Sequence, residues 1–195
     1  MKDTIRYRQN AVLGVRCLLG LLLISLCCAG CATYEPIRGT YRDRAPKILV
    51  DLPDGWLRFN PGRPDYVMTK DGLRLEKIVI RVTRMNKKIK GTDRVYREDM
   101  LPQEIAELTL GLIRQREEYV NLEVDQIELA QVAGREAYKA TAVYTHGQGL
   151  HKRMCIYGVP ISGYVCEFAY EAAADVYYDR YWPVFERLVG SVRTY

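Results

Sequence analysis

Four strand-like segments follow one another in the second half of the chain and constrain its fold more than any other feature. They cover Val124–Val132, Glu136–Thr145, Leu150–Tyr157 and Gly163–Tyr170. Each is separated from the next by a short segment that contains glycine, which is typical of hairpin turns. The sequence therefore predicts a four-stranded antiparallel meander.

Two amphipathic segments flank this meander. The first runs from about Leu101 to about Tyr119, with Pro102 in a first-turn position. The second, Val176–Val189, carries aromatic residues on one side, and Pro183 predicts that the helix begins near this residue or kinks there. Shorter strands are predicted between residues 48 and 83. The fold class is therefore α+β, an antiparallel sheet of about six to seven strands covered by two main helices.

The N-terminal segment resembles a bacterial lipoprotein export signal. Basic residues precede an apolar run at residues 17–27, which is too short to span a membrane comfortably. Ala29 and Gly30 then precede Cys31, as in the lipobox, although Cys28 stands where leucine is usual. Cys31 is therefore predicted to carry the lipid anchor, with palmitate among its acyl chains, after residues 1–30 are removed. An uncleaved signal anchor is the alternative.

The segment that follows the signal is predicted to be a tether. Residues 31–46 are polar and interrupted by proline and glycine, which indicates a flexible link to a single domain over residues 47–195. Without residues 1–30 the chain has 25 Lys and Arg against 23 Asp and Glu, a net charge of +2. This near neutrality argues against nucleic-acid binding.

Two of the six cysteines, Cys155 and Cys166, belong to the predicted domain. If the last hairpin closes around residues 159–162, these two residues lie opposite each other at a spacing that suits a disulfide. An exported protein also meets an oxidising compartment. Two buried free thiols are the alternative. A redox-catalytic pair is not indicated, because the spacing is not Cys-x-x-Cys.

The two histidines offer a possible metal site. A turn over residues 147–150 would place His146 and His151 opposite each other at one hairpin tip. Two imidazoles can bind a transition metal, but no third ligand is evident nearby. Two exposed loop histidines are the alternative.

A basic segment at residues 84–97 is predicted to be a solvated loop. Its cations Lys87, Lys88, Lys90 and Arg94 could contact anionic lipid head groups or an acidic partner. This segment is the candidate binding surface that charge alone suggests.

The sequence gives little support to catalysis. Ser162 and Ser191 are the only serines after residue 30, and neither lies in a Gly-x-Ser-x-Gly motif. There is no His-Glu-x-x-His motif and no glycine-rich phosphate loop, so that neither an enzyme nor a cofactor is predicted. Fifteen tyrosines against three phenylalanines could instead line a binding groove.

This layout resembles the PsbP-like α/β/α sandwich. The resemblance covers about residues 47–193 and depends on Pro53-x-Gly55-Trp56 and on the segment Phe185–Val192. The family includes photosystem extrinsic subunits, a nuclear import accessory factor and many bacterial exported lipoproteins. The resemblance implies a non-enzymatic accessory module that acts through protein contacts, with no catalytic residues to transfer.

The leading hypothesis is a lipid-anchored accessory or scaffold protein of the cell envelope that binds another envelope protein. Ala32 after Cys31 favours the periplasmic face of the outer membrane, because aspartate in that position is the usual inner-membrane retention signal. The second hypothesis is a small-ligand or metal carrier with a tyrosine-lined groove. The third is an unrecognised hydrolase, which would need a nucleophile and base in contact.

Overall fold

The structure is a computed structural model that describes residues 33–62, 64–147 and 149–195. The predicted signal and Cys31 lie outside the described residues. In chain order the elements are β1 (Tyr34–Pro36), β2 (Thr40–Asp43), β3 (Ile48–Asp51), β4 (Leu57–Phe59), β5 (Tyr66–Thr69), β6 (Glu76–Arg84), α1 (Pro102–Arg114), β7 (Val120–Val132), β8 (Arg135–His146), β9 (Leu150–Ile161), β10 (Tyr164–Ala173), α2 (Tyr177–Gly190) and β11 (Arg193–Thr194).

Eight of these strands form one antiparallel sheet in the order β1-β4-β5-β6-β10-β9-β8-β7, and β11-β3-β2 form a smaller sheet. Strands β7 to β10 pair in sequence order, so that the predicted meander is confirmed. The α+β fold class with two main helices is confirmed as well. The main sheet has more strands than predicted, because strands as short as β1 and β4, with 3 residues each, are difficult to recognise in the sequence.

The two helices pack on opposite faces of the main sheet. Phe168 of β10 and Phe185 of α2 are buried in one core, on what we call the α2 face. Ile105 of α1 and Tyr138 of β8 are buried in a second core, on the α1 face. Side chains alternate between these faces along each strand. The result is the predicted α/β/α sandwich.

The folded unit begins earlier than the sequence predicts. It extends from Tyr34 to Tyr195, β1 pairs with β4, and β2 pairs with β3. Ile37, between β1 and β2, is only 5% exposed. The predicted flexible tether over residues 31–46 is therefore wrong from Tyr34 onward. Strands of 3 and 4 residues are too short to show a clear period in the sequence.

Both predicted helices form, with different ends. α1 stops at Arg114 rather than near Tyr119, and the exposed Leu101 is the residue that precedes its first turn. The carboxylate of Glu104 accepts a hydrogen bond of 2.7 Å from the backbone N–H of Leu101. α2 begins at Tyr177 and continues through the exposed Pro183. Neither helix of the described residues is long and apolar enough to cross a bilayer.

Candidate binding surfaces

A groove of about 310 Å³ opens on the α2 face, between the first turns of α2 and the outer strands β7 and β8. It forms because α2 packs on β10, β9 and β6, nearer the centre of the sheet. The groove is lined by Asp125, Gln126, Lys139, Thr141, Ala142, Arg153, Met154, Tyr178, Asp179 and Trp182. None of these described residues is His, Cys or Ser, so that the lining contains no Ser-His or Cys-His pair.

One wall of the groove is aromatic. Tyr178 and Trp182 lie one helical turn apart on α2 and stack with ring centroids 5.6 Å apart at 20°. The hydroxyl of Tyr170 on β10 donates to the carbonyls of Tyr177 at 2.7 Å and Tyr178 at 3.0 Å. These bonds tie the first turn of α2 to the sheet. The aromatic wall is therefore held on rigid elements.

Two cations lie beside this wall. The guanidinium of Arg153 on β9 stacks 4.1 Å above the ring of Tyr178 and lies 3.4 Å from the carboxylate of Asp179. The amine of Lys139 on β8 lies 6.0 Å from the ring centroid of Trp182. A hydrogen bond to Glu128 raises the pKa of Lys139, and partial burial opposes this. The groove therefore presents two positioned cations, each paired with a carboxylate, next to the half-buried ring of Trp182.

The α1 face contains a buried carboxylate that the sequence did not single out. Oε1 of Glu167 lies 2.8 Å from the hydroxyl of Thr109, 3.2 Å from that of Tyr138 and 3.4 Å from that of Tyr96. Its other oxygen is 3.7 Å from the guanidinium of Arg81. The pKa values of Tyr96 and Tyr138 are raised far above the usual value for tyrosine. Burial is the largest cause, and the negative charge of Glu167 is the next. Both tyrosines therefore remain neutral hydrogen-bond donors.

A second buried carboxylate, Glu171, lies on the same face. It accepts hydrogen bonds from Tyr119, at 2.9 Å, and from Tyr144, and it pairs with Lys77 at 3.1 Å. Burial alone would raise the pKa of Glu171, but attraction to Lys77 and these bonds outweigh burial and lower it. The cleft beside Glu167 and Glu171 holds only about 20 Å³, room for roughly one water molecule. We interpret this network as structural.

The predicted disulfide geometry is wrong. The last hairpin turns at Ser162 and Gly163, whose φ values of 49° and 78° fit a two-residue type I′ turn. Cys155 therefore lies opposite Tyr170, and Cys166 lies opposite Val159. The cysteines are four residues out of register, about 13 Å along the strands at ~3.3 Å per residue. Both are buried free thiols, the alternative that the sequence had left open.

The predicted pairing of the histidines is also wrong. His146 lies opposite Leu150, and His151 lies opposite Thr145. Because neighbouring residues of a strand point to opposite faces, the two imidazoles are on different sides of the sheet. The ring of His146 instead contacts the carbonyl of Glu118 at 3.2 Å. No group of three His, Cys, Asp or Glu residues suited to a metal occurs among the described residues.

The basic segment is an ordered loop. Lys87, Lys88, Lys90 and Arg94 are all exposed on it. Lys88 pairs with Asp93 at 2.7 Å. Backbone hydrogen bonds from Asn86 to Tyr96 and from Ile89 to Arg94 fold it like a short hairpin. Tyr96, only 2% exposed, fixes the loop to the Glu167 network.

Sequence reasoning identified the aromatic side of α2 but missed the cations of the groove. The amphipathic pattern already placed Tyr178 and Trp182 together. Lys139 and Arg153 are on different strands, and only the register of β8 with β9 brings them to α2. The groove is also less rich in tyrosine than predicted, because Tyr96, Tyr119, Tyr138 and Tyr144 are used by the buried carboxylates.

Comparisons with known proteins identify the fold. No family model matches the sequence, and no curated protein matches it. Among solved structures, cyanobacterial PsbP (CyanoP) from Synechocystis matches with a TM-score of 0.54 and 17% identity over 86% of this chain and 95% of its own. The Ran-binding protein Mog1p of Saccharomyces cerevisiae matches with a TM-score of 0.51 and 8% identity over 82% of this chain and 96% of its own.

A third match is a crystal structure from Bacteroides thetaiotaomicron, with a TM-score of 0.53 and 11% identity over 82% of this chain. The match covers 49% of that chain, so that the present chain spans about half its length. At these identities the three likenesses show the fold alone. The described domain therefore has the PsbP-like fold that the resemblance implied.

Proposed function

We propose that this chain is a lipid-anchored accessory protein of the cell envelope that acts by binding another protein. The anchor is Cys31, and Ala32 after it favours the outer membrane, as argued from the sequence. The observation that carries the binding role is the groove beside α2, where Trp182, Tyr178 and Arg153 converge on rigid elements. Trp, Tyr and Arg are the residue types that most often contribute most of the binding energy of protein interfaces.

The groove suits a protein partner better than a reactive substrate. Its two cations are already held by carboxylates, Lys139 by Glu128 at 2.8 Å and Arg153 by Asp179 at 3.4 Å. Such positioned charges select the orientation of a partner and exclude wrong ones. The half-buried Trp182 provides apolar surface at the centre. These features support recognition rather than catalysis.

A small-ligand carrier is the second candidate function. The groove volume of about 310 Å³ is at the lower end of the roughly 300–1,000 Å³ typical of small-molecule sites. A ligand bound there would raise the unfolding temperature, and this rise would grow with the logarithm of the ligand concentration. A partner protein would instead be captured by crosslinking.

The partner hypothesis is tested by blocking the groove without disturbing the core. Thr141 and Thr145 are both half-buried on β8 and point to the α2 face, but only Thr141 lines the groove. We expect Thr141→Arg to reduce crosslinking to the partner in the native cells about tenfold or more, and Thr145→Arg to leave it unchanged. Equal capture by both variants, with unchanged thermal melts, would exclude the groove as the interface.

The anchor is tested separately. We expect mass spectrometry of the N-terminal peptide to find a diacylglyceryl group on Cys31, and Cys31→Ser to abolish this modification and leave residues 1–30 uncleaved. An unmodified, membrane-bound chain would support the uncleaved signal anchor instead. Because the groove variants retain Cys31, failure of the anchor and failure of the groove are distinguishable.

A further inference from the structure

β7 is the outer strand of the main sheet on the side of the meander. It is 13 residues long and pairs with β8 on one side, and no strand of the described residues pairs with its other side. An edge of this length presents a row of unpaired N–H and C=O groups that can accept another strand. Proteins usually protect such an edge with bulges or charge.

Only half of β7 is protected in this way. Its register with β8 shifts between Val120 and Glu123 and again between Val124 and Gln126. From Gln126 to Val132 the pairing is regular. This regular segment contains one charged residue, Glu128, which is already neutralised by Lys139 at 2.8 Å. The second half of β7 is therefore an unprotected edge.

Leu129 lies at the middle of this regular segment. It is 73% exposed, more than any other large hydrophobic residue of the described chain. Ile127 is two residues away and therefore on the same face. An exposed leucine on a regular free edge is a site where a second strand would both complete the hydrogen bonds and cover apolar surface.

We propose that β7 pairs with β7 of a second copy of this chain, antiparallel about a two-fold axis at Leu129. The sequence of the segment is complementary to itself in this register. Leu129 lies opposite Leu129 of the partner subunit, Glu128 lies opposite the partner's Ala130, and Ile127 lies opposite the partner's Gln131. No acid faces an acid directly, and Ile127 and Leu129 of the two copies form a diagonal apolar patch centred on the Leu129 pair.

This pairing joins the two main sheets into one. Directly opposed residues of antiparallel strands share a face, so that both grooves open on the same side of the joined sheet. A dimer would thus present two copies of the groove to one partner assembly, which strengthens binding through effective concentration. The dimer itself depends neither on the anchor nor on what the groove binds.

Disulfide trapping tests the contact at the two-fold axis. Opposed residues have Cβ atoms about 4.5–5.5 Å apart, so that Leu129→Cys should form a crosslinked dimer on mild oxidation of the full-length chain in detergent. Leu101→Cys is the matched control, because Leu101 is 66% exposed but lies just before α1, away from β7 in the chain. The proposal would be overturned if Leu129→Cys formed no more crosslinked dimer than Leu101→Cys and the parent chain do.

Charge exchange provides a second test. We expect sedimentation to show a concentration-dependent dimer for the parent chain and for the control Leu101→Lys. When each is measured by itself, Leu129→Lys and Leu129→Glu should have a dimer dissociation constant about tenfold higher than that of the parent chain. Mixing the two position-129 variants should restore the dimer, because unlike charges then face each other. A parent chain that stays monomeric at every concentration, or a mixture that stays dissociated, would refute pairing at Leu129.

Discussion

The ring of Tyr138 on β8 lies directly over Gly158 on β9, and its hydroxyl reaches Glu167 on β10 at 3.2 Å. The three residues are aligned across neighbouring strands, Tyr138 opposite Gly158 and Gly158 opposite Glu167. A Cβ atom on Gly158 would lie 2.1 Å from Cε1 of Tyr138. Glycine is therefore required so that the tyrosine can cross the middle strand.

Replacing Gly158 by alanine should destabilise the fold strongly. The added methyl group collides with a ring that is fully buried and hydrogen-bonded, so that strands or side chains must move apart. We expect the free energy of unfolding, measured by urea denaturation, to fall by about 3 kcal/mol or more. Gly111→Ala in α1 is the control, since nothing lies within 4 Å of its Cβ position, and it should stabilise by about 0.5–1 kcal/mol. Equal stability of Gly158→Ala and the parent chain would contradict this packing.

Tyr96 should control the order of the basic loop. Its ring is buried, and its hydroxyl contacts Thr109 at 2.8 Å. We expect Tyr96→Ala to increase trypsin cleavage after Lys87 and Lys90 about tenfold, because the loop loses its attachment to α1. Tyr96→Phe keeps the ring and should give an intermediate rate. The cleavage sites are identified by mass spectrometry, and cleavage at the parent rate in Tyr96→Ala would show that other contacts hold the loop.

The titration of Lys152 should contribute stability that grows with pH. Burial, only partly offset by Glu171, lowers the pKa of Lys152 from 10.5 to about 8. The folded state therefore releases this proton between pH 8 and 10.5 while the unfolded state still binds it, so that the contribution of Lys152 to stability increases over that window. The unfolded thiols of Cys155 and Cys166 ionise in the same range and oppose this increase. Between about pH 7 and 9.5 we therefore expect a gain of about 1 to 2 kcal/mol relative to a variant that lacks the lysine.

The matched variant for this test is Lys152→Met, which keeps the length of the side chain and removes the charge. Its free energy of unfolding should fall by about 1 to 2 kcal/mol relative to that of the parent chain over the same pH range, because the thiols titrate in both proteins and the lysine only in the parent. Parallel curves for the two proteins would mean that other groups cause the dependence.

Cys155 and Cys166 should be unreactive in the folded protein. Burial raises the pKa of each thiol to about 12, so that almost no thiolate forms near neutral pH. We expect iodoacetamide to modify neither residue without denaturant and both in guanidinium, as read from the tryptic peptides. A reducing agent should leave the melting temperature unchanged, whereas a lowered melting temperature would indicate a disulfide.

Most of the architecture could be predicted from local sequence. The meander and the amphipathic segments of α1 and α2 carry clear periods, and their pairing follows from short connections. The errors in the two hairpins came from the positions of their turns. The last turn lies at Ser162 and Gly163 rather than over the preceding residues, and this shift alone separates Cys155 from Cys166. Local sequence does not distinguish the two registers, because Gly158 and Gly163 are both plausible turn residues.

The sequence by itself determined the order of the meander strands and the two helices and the apolar faces of the helices, because each depends on residues close together in the chain. The anchor at Cys31 stays a prediction of the sequence. Only the tertiary structure decided which side chains meet. Three features arise from elements that are distant in sequence: the groove formed by Arg153, Lys139 and Trp182, the burial of Glu167, and the free edge at Leu129. Their neighbours are fixed by packing and strand register, which no local pattern specifies.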